Sequence, residues 1–166
     1  MRDNTPMLRT EAKRAFVLAD WLKGAPFDSI EVFQPVFAAE KSRVQQLSDA
    51  DLDGIISKDL KRLENYNKAI WNLGRITLAT CFVYPGMGGR AWAKGSVRDV
   101  AEQFKRLEPL TSRIWMMKHF SSVFEAQLPI LVLKKNSNFH IDDGSHRAIA
   151  MALCGIEKAA VWIGEV

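Results

Sequence analysis

A short apolar run, Pro129-Ile130-Leu131-Val132-Leu133, precedes a basic polar turn from Lys134 to Asn138. Then comes His140-Ile141-Asp142-Asp143-Gly144-Ser145-His146-Arg147, which leads straight into the apolar stretch Ala148 to Leu153. This order dictates a strand, a glycine-containing turn and a helix whose first turn carries Ser, His and Arg. A purely structural strand-to-helix junction needs only a cap and a glycine. Acid, hydroxyl, imidazole and guanidinium packed between Asp142 and Arg147 point instead to phosphate and proton chemistry.

The physics of the junction follows from the residue types. Backbone N–H groups in the first turn of a helix have no intrahelical partner, and with the helix dipole they favour an anion. Gly144 removes the Cβ that would hold a ligand off the backbone. Arg147 offers a planar fork of donors suited to phosphate oxygens, and His146 can donate, accept or bind a metal near neutral pH. Asp142 and Asp143 would repel a bare phosphate, so one of them is expected to face a metal ion, a hydroxyl substrate or the helix cap. The plainer alternative makes Asp143 or Ser145 a simple N-cap and Arg147 a solvated side chain.

The stretch resembles the signature of the ParB/sulfiredoxin-like superfamily: a short strand, a D-G-x-H-R or G-G-x-H-R turn, and a helix ending in glycine before a last strand. Pro129-Ile130-Leu131-Val132 matches the first piece, Asp143-Gly144-Ser145-His146-Arg147 the turn, Ala148 to Cys154 the helix, Gly155 its end, and Ala160-Val161-Trp162-Ile163 the last strand. A preceding helix with Phe120, Val123, Phe124 and Leu128 also sits where the family places one. The likeness covers roughly the last fifty residues; the middle of the chain aligns with nothing.

Carried over position by position, the resemblance implies phosphate or nucleotide binding by Gly144, Ser145, His146 and Arg147. Sulfiredoxins have their catalytic cysteine where Ser145 stands, so reduction of cysteine sulfinic acid is not expected. The free serine kinases of the superfamily use a D-G-H-H-R turn; Asp143 and His146 match its aspartate and second histidine, while Ser145 replaces the other. Those kinases also use a glutamate near the first strand, for which Glu31 and Glu40 are the candidates and Glu40 is preferred. Partition proteins carry a DNA-binding helical domain after this fold, which has no counterpart before Val166.

These residues lead to an expected nucleotide-dependent phosphotransferase or phosphohydrolase. Asp143, His146 and Glu40 would be catalytic, and ATP or another nucleotide the cofactor. Mg²⁺ would be held by Asp142 or Asp143, and the acceptor would be a hydroxyl-bearing small molecule or protein. The alternatives are a non-catalytic nucleotide- or nucleic-acid-binding regulator and a nuclease. Three histidines, His119, His140 and His146, are too few and too scattered for a structural zinc site.

The remaining sequence sets the frame. At 166 residues with 48% hydrophobic and 25% charged residues, the chain is expected to form one α/β (α+β) domain. That domain would have a small mixed sheet, a core at 27–43 and 112–166, and a mainly helical insertion at about 44–111. The net charge of +4 supports an anionic ligand and argues only weakly for nucleic acid. Cys81 and Cys154 lie in apolar segments without CxxC spacing and read as two buried thiols in a reducing compartment. The polar N-terminus lacks a signal core and no apolar run reaches the ~20 residues needed to span a bilayer, so a cytoplasmic protein without a membrane partner is expected.

Leu8, Ala12, Ala15, Phe16, Ala19 and Leu22 recur at helical spacing up to Gly24. Ser29 to Phe33 alternates as a short strand closed by Gln34-Pro35. Ser48 or Asp49 caps a long helix bearing Leu52 through Ile70. Ile76 to Tyr84 is either a buried strand or a continuing helix. The glycines of Pro85 to Gly95 are expected to leave a mobile loop in which Arg90 and Lys94 reach phosphates and Trp92 stacks on a base, or else a plain connector. Val97, Val100, Phe104 and Leu107 form one helical face that Pro109 ends.

Overall fold

A computed structural model describes residues 5–24, 30–117 and 129–166. The fold is mixed α and β, as expected: among the described residues there are seven α-helices and one four-stranded mixed sheet. The chain gathers into two compact units, Met1–Trp71 and Asn72–Val166. The expected helix with Phe120, Val123, Phe124 and Leu128 lies outside the described residues. Among the described residues, no helix is long and apolar enough to cross a membrane.

The first unit holds α1 (Thr5–Gly24), α2 (Ile30–Gln45), α3 (Asp49–Ile56) and α4 (Leu60–Lys68). Its core is Ala12, Phe16, Phe33, Phe37, Val44, Leu52, Ile56, Tyr66 and Trp71. The Tyr66 ring meets Phe16 at 5.7 Å and Trp71 at 5.0 Å, both edge-on. Lys13 is fully buried, its ammonium 3.0 Å from Asp49 and 2.5 Å from Asp53, so the buried charge is paired as it must be.

Two expectations are corrected here. The strand expected at Ser29–Phe33 gives way to helix: α2 runs from Ile30, and Ser29 lies outside the described residues. Phe33, Phe37 and Val44 recur on one helical face and are all buried, and this 3.6-residue period overrides the local alternation. Pro35 sits exposed within α2, where water can satisfy the carbonyl that its missing N–H leaves. The long helix from Leu52 to Ile70 is two. Ser48 does cap the first, in a reciprocal box with Asp51, but Asp59 accepts from the N–H of Arg62 and starts the second.

The second unit is built on the sheet. Strand β1 (Ile70–Thr77) begins at the boundary, followed by α5 (Val97–Leu107), α6 (Leu110–Met116), β2 (Ile130–Lys135), β3 (Asn138–Asp143), α7 (Ser145–Leu153) and β4 (Lys158–Glu165). The strand order is β1-β4-β2-β3. β2 runs antiparallel to β3 and parallel to β4. The polar turn between β2 and β3 shrinks to two residues, because Lys135 pairs with Asn138 and Asn136 takes φ 56°, a conformation asparagine tolerates.

The expected ambiguity at Ile76–Tyr84 resolves into neither alternative alone. β1 stops at Thr77, a short 3₁₀ turn follows at Leu78–Thr80, and the chain then runs extended. The core packs α5 and α7 against the sheet through Val97, Val100, Phe104, Ile130, Val132, Ile141, Ala148, Ile149 and Val161. Leu107, assigned to the inner face by spacing, is half-exposed, because it lies in the last turn of α5.

Candidate functional site

β3 delivers the chain to Gly144, which turns it at φ +103°, a left-handed conformation that side-chain-bearing residues rarely adopt. Helix α7 then starts at Ser145. Gly144 itself is the N-cap and no side chain caps the helix, so neither Asp143 nor Ser145 plays that part. The Ser145 hydroxyl instead accepts the Tyr84 N–H at 2.9 Å and ties the segment after β1 to the first turn of α7.

Asp143 and Arg147 are brought together one helical turn apart. Arg147 Nη2 donates to Asp143 Oδ2 at 3.2 Å, and both side chains are only 4% exposed. A Cβ on Gly144 would lie 2.7 Å from Arg147 Nη2 and 3.1 Å from Ile130 Cγ1. The room left by the missing Cβ is therefore filled by the protein's own guanidinium. The missing Cβ of Gly144 leaves room for Arg147, and Arg147 is buried rather than the solvated side chain of the plainer alternative. Burial pushes the Arg147 guanidinium down from its ordinary pKa, while the charge and hydrogen bond of Asp143 work against that shift.

His146, next to this pair in sequence, is half-buried and faces a different neighbour. A Cβ on Gly88 would run into Arg90 Nη1 and stand 2.8 Å from His146 Nε2. An imidazole and a guanidinium thus close on one glycine of the Pro85–Gly95 loop. Arg90 is also held by Glu108 through Nε, and its guanidinium lies 5.0 Å from the centre of the Phe104 ring. The Arg90 hydrogen bond is the chief reason the Glu108 carboxyl sits below the usual carboxylate range.

The loop is not the mobile segment its glycines suggest. Val83 N–H donates to Gly95 O, Gly86 to Ala93, Gly89 to Gly86 and Ala93 to Arg90, while Met87 and Ala93 are buried. Gly86, Gly88, Gly89 and Gly95 all take positive φ, so the glycines build tight turns. Trp92 is not offered to a base: it packs edge-on against Phe104 at 5.2 Å. Lys94 is exposed.

Asp142 is half-buried between the buried Ile141 and Asp143. The register with β2 passes over it, since Leu131 pairs with Asp143 and Val132 with Ile141. His140, exposed, stacks on Phe82 at 5.2 Å with the rings 20° from parallel. Among the described residues no three His, Cys, Asp or Glu side chains gather where they could hold a metal ion, and His119 lies outside them. Of the two carboxylates Asp142 and Asp143, Asp142 is the better exposed. Glu40 belongs to the helical unit, where Arg43 Nε donates to it at 2.9 Å. Of the two thiols, Cys81 is buried as expected, whereas Cys154 is exposed at the end of α7.

No family model, curated protein or solved structure matches the chain. Sequence reasoning missed Phe82 and Tyr84, which reach β3 and α7 through backbone bonds from far away in the chain: Phe82 N–H to Phe139 O, Ile141 N–H to Phe82 O, and Tyr84 N–H to the Ser145 hydroxyl. Their signal was limited to an aromatic alternation around the buried Val83. Glu108 was missed because it carries no motif.

Proposed function

We propose that this protein binds nucleotide phosphates at the head of α7, as a ParB/sulfiredoxin-like nucleotide-binding protein. The contacts are His146, Arg90 and the glycine loop facing them. The observation that carries the reading is the approach of His146 Nε2 and Arg90 Nη1 to Gly88, beside a helix start that no side chain caps. The first-turn N–H groups favour an anion there. In this reading Asp143 and Arg147 brace the turn from within and do not touch the ligand.

The reading has a catalytic and a non-catalytic form. In the first, the protein is an ATP- or ADP-dependent phosphotransferase or phosphohydrolase. His146 steadies charge developing on the transferred group, and a hydroxyl of a small molecule or protein accepts it. One observation favours the non-catalytic form, a nucleotide- or nucleic-acid-binding regulator. The carboxylate that the family kinases employ is here Asp143, buried against Arg147 and so removed from metal and substrate. Binding is accordingly the conclusion, and turnover the property to be measured.

The test is a thermal-shift and turnover panel with ATP, ADP, CTP and a short DNA, each with and without Mg²⁺. A ligand that binds the native state raises its melting point. A nucleotide-dependent rise that disappears in His146→Ala and Arg90→Ala is expected. Phosphate release or transfer would establish the catalytic form. No shift with any nucleotide refutes the proposal, and a salt-steep DNA affinity alone reassigns the chain as a nucleic-acid module.

A further inference from the structure

The stretch Phe82–Tyr84 runs beside β3, bridged to it in parallel at Phe82 and His140. Burial alternates on both: Val83 and Ile141 point into the core, while Phe82, Tyr84, His140 and Asp142 are the more exposed positions. The outer side therefore shows an ordered series along β3. First comes the stacked Phe82–His140 pair, next Asp142, and then Gly144 and the head of α7, to which Tyr84 N–H is fastened through Ser145. At about 3.3 Å per strand residue, His140 and Asp143, where β3 ends, are roughly 10 Å apart.

We propose that this side of β3 is the base and ribose subsite of a ribonucleotide. The base lies against the Phe82–His140 pair, the ribose hydroxyls donate to Asp142, and the phosphates end at α7. Each group matches the chemistry it would meet. Aromatic faces hold bases of any sequence through stacking. A carboxylate only accepts hydrogen bonds, so Asp142 suits a ribose diol and repels phosphate. That repulsion fixes the direction in which the nucleotide lies. The register irregularity at Asp142 belongs to a class of features that re-aims a side chain.

This subsite rests on the phosphate reading above, and the experiment separates the two. Dissociation constants for ATP, dATP and inorganic tripolyphosphate are measured by calorimetry on the wild-type chain, Asp142→Ala, and His140→Ala combined with Phe82→Leu. Circular dichroism checks that each variant is folded. ATP is expected to bind several-fold more tightly than dATP, and Asp142→Ala to erase that difference without weakening tripolyphosphate. The ring variant is expected to weaken ATP about fivefold, the lower end of measured base stacking, and to leave tripolyphosphate unchanged. Equal affinities for all three ligands, or variants that change nothing, overturn the subsite while the phosphate site stands. No binding of tripolyphosphate or nucleotide overturns both, and a single-stranded RNA that outcompetes every mononucleotide overturns the ribonucleotide assignment.

Discussion

Arg147→Met separates an internal brace from a phosphate ligand, two roles the same guanidinium could play in a D-G-x-H-R turn. At 3.2 Å and an effective dielectric near 20, the Arg147–Asp143 attraction is about 5 kcal/mol. Loss of hydration costs each buried ion several kcal/mol, so the intact pair contributes little net stability. Removing one partner is different, because Asp143 would stay buried without its counter-charge. The expected loss is about 3–5 kcal/mol. The double variant Asp143→Leu with Arg147→Met should recover much of it, since two apolar groups can fill the site. Urea unfolding at neutral pH gives the loss, and hydrogen exchange at α7 amides shows whether it falls on the second unit. A solvated ligand arginine would behave in the opposite way, with stability within about 0.5 kcal/mol of wild type and nucleotide affinity gone. That pattern would refute the brace.

Three other outcomes follow from the same geometry. Cys81 is buried, and burial pushes its thiol up to about 11, whereas Cys154 is exposed; a maleimide at pH 7.5 should label Cys154 alone, with Cys81 reacting only in denaturant, and equal labelling of both in the native protein would contradict the packing. Asp49 is raised by burial but lowered further by hydrogen bonds from Lys13 and Thr10, for a net depressed pKa. Its stabilisation is therefore present above the unfolded value near 3.9 and lost as pH falls below about 4 through the folded value; Asp49→Asn should flatten the acid slope of stability, read from urea midpoints at successive pH values. Glu108 competes with any anion for Arg90, so Glu108→Gln should tighten tripolyphosphate binding several-fold by calorimetry, and an unchanged affinity would remove Arg90 from the site.

What the sequence disclosed and what it hid divide by distance along the chain. The β2 strand, the turn at Gly144, helix α7 and its end before Gly155 were readable because each is set by neighbours a few residues away: an apolar run, a glycine, a helical period. Pro35 misled because a local alternation at Ser29–Phe33 competed with the longer period of Phe33, Phe37 and Val44, and burial of the longer one won. The site failed to show for a related reason. Asp143 and Arg147 have the residue types of a phosphate site, and residue type says nothing about which way a guanidinium faces. Only the missing Cβ of Gly144 and the buried Asp143 carboxylate hold it inward. Arg90 and the glycine loop lie more than fifty residues before His146 and join it through contacts that no spacing rule encodes. A motif of this kind therefore carries two separable messages: its D-x-x-x-R spacing specifies how the turn is held, while His146 between them turns to the Gly88 loop.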